Sequence, residues 1–198
     1  MIARAISVLL FVALAAPGLA GPAAAAEKEK KSDFPIDFGG PFKLKDHRGK
    51  LRTDKDYRGR HMLVYFGYTS CPDICPSDLL EIADALDRLG EKAEQVAPLF
   101  ITVDPERDTP RMLRTYLGLF HDRIIGLTGS EAQIAAAAKA YRIHRVKVPV
   151  QSEENGEDYL VNHTPNTFLM DPEGKFVALF PHDTLSGPMA TTIAKYLE

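Results

Sequence analysis

Short apolar runs alternate along this chain with runs whose apolar residues have helical spacing, and each pattern predicts a different element. The clearest strand signal is His61–Gly67, the apolar run HMLVYFG, which is typical of a buried central strand. In residues 76–89 the apolar side chains share one helical face, and Gly90 provides a stop. Further strands are predicted at 98–103 and 124–127, and further helices at 110–118, 130–141 and 186–197.

Two of the predicted helices begin with specific capping signals. Thr109 followed by Pro110 is typical of an N-cap residue followed by proline at the first helical position. Ser130 and Gln133 have the spacing of a capping box, in which each side chain bonds the other residue's backbone N–H. These signals fix where the second and third helices start.

Three hairpins are predicted where strand patterns flank turn residues. They pair 42–45 with 50–53, 144–150 with 159–162, and 166–170 with 175–180. Helices alternate with strands early in the chain, and two of the hairpins come late. This order predicts an α/β fold with a mixed sheet flanked by helices. A thioredoxin-like domain with an added N-terminal hairpin fits it.

The bulk composition describes an ordinary soluble globular domain. Of the 198 residues, 45% are hydrophobic and 26% are charged. The net charge of −3 gives no electrostatic case for nucleic acid. Two cysteines are too few for a disulfide scaffold, so the core must come from apolar burial.

The N-terminal residues have the layout of an export signal. Arg4 precedes an apolar stretch and then small residues, and Ala24-Ala25-Ala26 offers a cleavage site. Residues 1–26 are therefore interpreted as a signal peptide or, alternatively, as a membrane anchor, because residues 5–26 carry no charge. Residues 27–33 form a charged linker, and the domain occupies 34–198. We expect that domain to lie outside the cytoplasm, in the periplasm, either soluble or anchored to the inner membrane.

The candidate chemistry lies in residues 66–78, FGYTSCPDICPSD, which contain both cysteines of the chain, Cys71 and Cys75. They stand where a predicted strand gives way to a predicted helix, a common position for ligand sites in α/β folds. A helix N-terminus favours thiolate over thiol. Four residues of helix rise about 6 Å, so both sulfurs can face one ion or each other. The spacing allows a redox pair, a disulfide staple or a metal site.

The details of the cysteine motif favour a metal. Thioredoxin-type redox pairs have two intervening residues and often a preceding tryptophan, whereas this chain has three and no tryptophan. Soft thiolates prefer soft cations such as Cu(I). Two sulfurs leave Cu(I) open to a third ligand, whereas structural zinc usually takes four protein ligands.

A third ligand is sought among six histidines, and His163 is the best placed. It precedes Thr164-Pro165 and a predicted strand whose entry lies beside the cysteine loop in thioredoxin-like folds. The others are interpreted as surface groups (His47, His121, His182), as lying at the far end of a strand (His61) or as ambiguous (His144).

Three segments together resemble the Sco/SenC family of copper-binding assembly proteins: FGYTSCPDICPSDL, FITVDPERDTP and VNHTPNTFLMDPEGKF. The resemblance covers 34–198 and implies a thioredoxin-like domain in which Cys71, Cys75 and His163 hold one copper ion, as Cu(I) or Cu(II). It also implies delivery of copper to the binuclear site of cytochrome c oxidase subunit II, or reduction of that site's cysteines. An upstream copper donor or thiol reductant would then be a further partner.

Two details of the histidine segment bear on that resemblance. Many family members carry Asp before the histidine, and this chain has Asn162, which removes an outer carboxylate. The Thr164-Pro165 pair resembles the cis-proline that faces the cysteines of thioredoxins, which keeps thiol exchange open.

Three aspartates near the cysteine motif are given lesser roles. Asp73, between the cysteines, is interpreted as a solvated carboxylate or a weak fourth ligand for Cu(II). Asp104 and Asp108 are expected to cap their loop and the helix that follows.

Three functions remain open at this point. The first and favoured one is a copper metallochaperone, which is a binding and transfer protein rather than an enzyme. The second is an extracytoplasmic thiol–disulfide oxidoreductase, in which Cys71 attacks and Cys75 resolves. The third is a structural Cys71–Cys75 disulfide, which ranks last because so short a loop gains little from cross-linking.

Overall fold

A computed structural model describes residues 38–152 and 156–197. The predicted signal or anchor at 1–26 and the predicted linker at 27–33 lie outside the described residues, as does the centre of the polar turn at 153–155. Within the described ranges, no helix combines the length and the hydropathy needed to cross a bilayer.

A seven-stranded sheet forms the centre of the domain. Its strands are β1 (Lys43–Asp46), β2 (Leu51–Thr53), β3 (His61–Gly67), β4 (Val96–Thr102), β5 (Ile125–Thr128), β8 (Thr167–Met170) and β9 (Phe176–Phe180). They lie side by side in the order β2-β1-β5-β4-β3-β8-β9. Every position of β3 and β4 is buried, so the middle of the sheet is covered on both faces.

The strand directions confirm the predicted mixed sheet. β3, β4 and β5 are parallel neighbours, whereas β8 runs antiparallel to β3, and β1 runs antiparallel to β5. The added hairpin β1–β2 therefore extends one edge of the sheet, and the hairpin β8–β9 extends the other. The carboxyl ends of β3 and β4 lie side by side, and the loops that follow them build the site described below.

Four α-helices within the described ranges accompany the sheet, and both predicted capping signals are confirmed. Thr109 accepts a hydrogen bond from the Met112 N–H, with Pro110 at the first helical position. Ser130 and Gln133 form the capping box. The helices are α1 (Ile74–Leu89), α2 (Pro110–Leu117), α3 (Glu131–Ala140) and α4 (Ser186–Ala194).

The remaining hairpin consists of β6 (Arg145–Ser152) and β7 (Gly156–His163) and forms a separate two-stranded sheet. The predicted pairing is confirmed, but β7 extends one residue beyond its predicted end. His163 is thus the last residue of β7, opposite Arg145 on β6.

The prediction that His47 is a solvated surface residue is wrong. Only 9% of His47 is exposed, and its Nδ1 accepts a hydrogen bond from the Gly126 N–H on β5. The hairpin turn that carries His47 packs onto the neighbouring strand, a long-range contact that local turn chemistry does not indicate.

Candidate metal centre

The two thiols lie on either side of the start of α1. Cys71 is in the loop after β3, whereas Cys75 is the second residue of the helix, which begins two residues earlier than predicted. Cys75 is fully buried, and Cys71 is half-buried. Both are free thiols, and the Cys75 N–H lies 3.4 Å from Cys71 Sγ, where it donates a hydrogen bond.

This arrangement gives the two sulfurs different acidities. The hydrogen bond from the Cys75 side chain, with further bonds from the backbone N–H groups of Cys75 and Asp73, lowers the pKa of Cys71 to about 5 against the opposing effect of burial. The same hydrogen bond, together with burial, raises the pKa of Cys75. Cys71 is therefore the thiolate near neutral pH, and Cys75 keeps its proton.

We expect the alkylation rate of Cys71 in metal-free protein to follow this low pKa. A group with a lowered pKa is ionised above that pKa, so the iodoacetamide rate should rise through about pH 5 and level off near neutrality. The rate of an ordinary thiol, whose pKa is about 8.5, still rises through pH 8.5. Mass spectrometry after timed alkylation gives the rate at each cysteine. A Cys71→Ser control should leave Cys75 almost unreactive at pH 7, and a Cys71 rate still climbing at pH 8 would contradict the assignment.

The imidazole of His163 reaches the buried thiol from a strand 88 residues further along the chain. Its Nε2 lies 3.7 Å from Cys75 Sγ. Its Nδ1 lies 3.2 Å from the Thr164 carbonyl oxygen, which can only accept, so Nδ1 carries the proton. Burial lowers the pKa of His163. The ring is therefore neutral, with the Nε2 lone pair available beside the sulfur, which is the form that binds metals.

The three predicted ligands are thus brought together, in pairwise contacts. Cys71 contacts Cys75, and Cys75 contacts His163. Among the described residues, no group of three or more His, Cys, Asp or Glu side chains is already arranged to hold a metal. Two sulfurs and an imidazole nitrogen nevertheless form a donor set that suits a soft cation. An ion that bound there would replace the proton that Cys75 now retains.

The aspartates of the loop DPERDTP have a different role from the predicted one. Thr109, and not Asp108, caps α2. Asp108 is completely buried and accepts hydrogen bonds from the Thr69 N–H, the Thr69 hydroxyl and the Thr102 hydroxyl. Asp108 therefore braces the cysteine loop. The expectation that Asp108 caps its loop and the helix that follows is wrong, because its side chain bonds Thr69 and Thr102 instead.

The other residues singled out by the sequence lie around the thiols or far from them. Asp73 is exposed and makes no side-chain cap bond, in agreement with a solvated carboxylate. The Thr164–Pro165 bond is trans, so the resemblance to the thioredoxin cis-proline does not extend to its geometry.

His61 lies at the opposite end of β3 from the cysteine loop, as predicted, and His144 is exposed. His182 and His121 each lie beside an aspartate, at 2.9 Å from Asp78 and 3.4 Å from Asp87.

Sequence reasoning missed the groove beside the thiols. It has a volume of about 390 Å³, and Cys71, Pro72 and Ile74 line it on one side. Val148 and Leu160, which face each other across the β6–β7 hairpin, line it on the other. Their exposed fractions of 41% and 38% leave an apolar wall next to the reactive thiol. In the sequence, only the apolar residues of 144–150 indicate anything about this region, and they predict a strand and not the wall of a groove.

The profile of the SCO1/SenC family matches residues 30–198. The chain belongs to the SCO1/SenC family. Among curated SCO relatives, the human mitochondrial SCO1 homolog is 37% identical over 174 residues, covering 86% of this chain and 56% of that protein. Sco1 of Schizosaccharomyces pombe is 42% identical over 160 residues, covering 80% of this chain and 60% of that protein. The chain therefore spans little more than half the length of these relatives.

Solved SCO structures confirm the thioredoxin-like fold class. ScoI of Bradyrhizobium japonicum, solved with copper bound, has a TM-score of 0.74 at 42% identity, over 80% of this chain and 99% of that one. Yeast Sco1 with copper bound has a TM-score of 0.74 at 37% identity, over 82% of this chain and 89% of that one. BsSco, described as a member of the Sco family of cytochrome c oxidase assembly proteins, is 24% identical with a TM-score of 0.64, over 85% of this chain and 98% of that one, and shows the fold alone.

Proposed function

We propose that this protein binds one copper ion as cargo through Cys71, Cys75 and His163 and hands it to another protein. The observation that carries the proposal is the approach of His163 Nε2 to within 3.7 Å of Cys75 Sγ, across 88 residues of sequence. The copper-bound SCO structures at 42% and 37% identity support the choice of metal. The donor chemistry supports it as well, since thiolates favour Cu(I) and imidazole suits copper in both common oxidation states.

The three groups have different parts in holding and releasing such a cargo. Cys71 is half-buried and ionised, so it is the first ligand that an incoming ion or a partner's ligand can reach. Cys75 is fully buried and must lose a proton to bind. His163 is fixed by its Nδ1–H bond to the Thr164 carbonyl oxygen, which presents Nε2 to the site. A site open on the Cys71 side allows an acceptor to replace the ligands one at a time.

The acceptor we propose is the binuclear copper site of cytochrome c oxidase subunit II, or another copper-accepting protein outside the cytoplasm. This assignment rests on the resemblance to the Sco/SenC family, which implies that acceptor, and on the copper-bound SCO structures at 42% and 37% identity. It also rests on the export signal predicted at 1–26. Several relatives are named as mitochondrial, which supports a location outside the cytoplasm. An upstream copper donor or thiol reductant is part of the same proposal, with membrane contact only through the N-terminal segment.

A transfer experiment tests the proposal. Copper-loaded full-length protein is mixed with a purified, copper-free acceptor domain of oxidase subunit II, and the absorption of the acceptor's copper centre is followed. We expect wild type, isolated with its bound copper, to transfer it, and a Cys75→Ser variant taken through the same loading and desalting to carry too little copper to transfer. A Ser77→Ala variant, changed in the same helical turn, serves as the matched control and should transfer like wild type. Loading of wild type without any transfer to this acceptor would refute the delivery step.

The low pKa of Cys71 supports a second candidate function, thiol–disulfide exchange. In that reaction the Cys71 thiolate attacks a partner disulfide and forms a mixed disulfide, and one partner thiolate leaves. Cys75 then loses its proton and attacks Cys71 Sγ, which releases the second partner thiolate. The partner's disulfide is reduced by two electrons, and Cys71 and Cys75 become a disulfide. His163 is not needed for this exchange, so the His163→Ala variant described in the Discussion separates the two functions.

A further inference from the structure

The hairpin that carries His163 is not part of the main sheet. β6 and β7 pair only with each other among the described strands. Backbone pairing with the seven-stranded sheet therefore does not set the position of His163 relative to the thiols. Side-chain contacts between the hairpin and its neighbours contribute to that position, together with the short link 164–166 into β8.

Arg107, in the loop after β4, makes the central contact with the hairpin. Its Nη1 donates to Asp158 Oδ1 at 3.1 Å and to the Tyr159 carbonyl oxygen at 3.0 Å, both on β7. Its guanidinium carbon lies 3.9 Å from the centre of the Tyr159 ring. On the other side, Arg107 Nε bonds the buried carboxylate of Asp104 in its own loop. A planar cation with several fixed donors is suited to such a junction.

Two further contacts join the same loop to the same hairpin. The Tyr159 hydroxyl donates to Asp104 Oδ1 at 3.0 Å. On β6, Lys147 Nζ lies 2.6 Å from Glu106 Oε2 and 4.5 Å from the centre of the Tyr159 ring. The Tyr159 ring is therefore contacted by two cations, each of which is also paired with a carboxylate of the loop. Burial of Asp104, with none of its surface exposed, makes its two bonds stronger than those of a solvated pair.

Asp108, in the same loop, contacts the segment that carries the thiols. Asp108 accepts hydrogen bonds from the backbone and the hydroxyl of Thr69, two residues before Cys71. The loop 104–108 therefore contacts the β6–β7 hairpin through Asp104, Glu106 and Arg107. It contacts the cysteine loop through Asp108.

We propose that the loop 104–108 sets the distance between the thiols and His163, and that Arg107 is a positioning residue for the metal centre. Arg107 touches neither sulfur nor imidazole and acts through Tyr159, four residues before His163 on β7. The inference rests on the proposed function, since it concerns the ligand set of the same site. It predicts that a change at Arg107 alters the environment of His163 even when no metal is present.

The test compares Arg107→Gln with wild type in the full-length protein. Without metal, modification of His163 by diethyl pyrocarbonate, measured at that residue by mass spectrometry, should be severalfold faster in the variant. With one equivalent of Cu(I), X-ray absorption should show the nitrogen ligand weakened or lost, and copper affinity should fall about tenfold, in the range for outer-shell partners. An Arg107→Lys variant keeps the charge but loses the forked contact, so it should give an intermediate result.

Arg88→Gln is the matched control, because it removes another arginine–aspartate pair, with Asp84 on the exposed side of α1. It should leave both readouts unchanged. If Arg107→Gln does not fold, Tyr159→Phe removes only the hydroxyl bonds to Asp104 and Glu106 and should change both readouts in the same direction by less. If His163 in folded Arg107→Gln behaves as in wild type, the inference is overturned and the proposed function stays intact. The same holds for Tyr159→Phe if it is used in place of an unfolded Arg107→Gln. Failure of wild type to bind copper overturns the proposed function, and the metal-free readout still decides the role of Arg107.

Discussion

A Cys75→Ser variant should lose tight copper binding while keeping its fold. Serine is nearly isosteric with cysteine, but its hydroxyl stays protonated at neutral pH and is a hard donor that a soft cation does not prefer. Loss of an outer-shell partner already weakens metal sites by about 10- to 100-fold. Loss of a ligating thiolate should therefore lower copper affinity by at least about 100-fold. Competition with a Cu(I) chelator of known affinity measures the change.

The same substitution should leave the remaining thiol acidic. The Cys75 side chain is the main cause of the low pKa of Cys71, and a serine hydroxyl is a stronger hydrogen-bond donor than a thiol, so the pKa of Cys71 should stay below its ordinary value. The Ser77→Ala control keeps both sulfurs and should bind copper like wild type. Copper binding by a folded Cys75→Ser variant within threefold of wild type would exclude Cys75 as a ligand.

A His163→Ala variant should bind copper about 10- to 100-fold more weakly, because two sulfurs remain and only the third ligand is lost. Its thiol chemistry should persist. His163 is the smallest of the named contributions to the low pKa of Cys71, so the Cys71 alkylation profile should move only slightly upwards. The pair should still form and exchange a disulfide with a small dithiol reagent. Chelator competition and timed alkylation on one preparation give both values.

The matched control for this variant is His144→Ala. His144 is exposed and lies at the base of the same hairpin, next to β6. Its imidazole makes none of the site contacts, so copper affinity should remain at the wild-type value. Equal affinities for His163→Ala and wild type would remove His163 from the ligand set and leave a dithiol protein, for which exchange with partner cysteines is the better explanation.

The elements of the fold that depend on local signals were predictable from the sequence. The capping residues Thr109 and Ser130 act within three or four residues of their own position, and the structure shows both caps. The buried strand β3 follows from a continuous apolar run. The cysteine spacing and the segment around His163 were enough to propose the ligands, because the fold class determines which loops meet at the carboxyl ends of β3 and β4.

Contacts between distant segments were not predictable in the same way. The bond between Thr69 and Asp108 joins residues 39 positions apart, and Arg107 reaches the Tyr159 carbonyl oxygen across 52 positions. Nothing in the local pattern of DPERDTP separates a buried brace from a solvated loop, because acidic loop residues are exposed in most proteins. The burial of His47 was missed for the same reason.

The central claim is that two sulfurs and one imidazole bind a single copper ion. X-ray absorption on full-length protein loaded anaerobically with one equivalent of Cu(I), for wild type and His163→Ala side by side, tests it most directly. We predict two sulfur ligands and one nitrogen ligand in wild type, and the same two sulfurs without that nitrogen in the variant. Identical spectra with sulfur ligands alone in both proteins would contradict the claim.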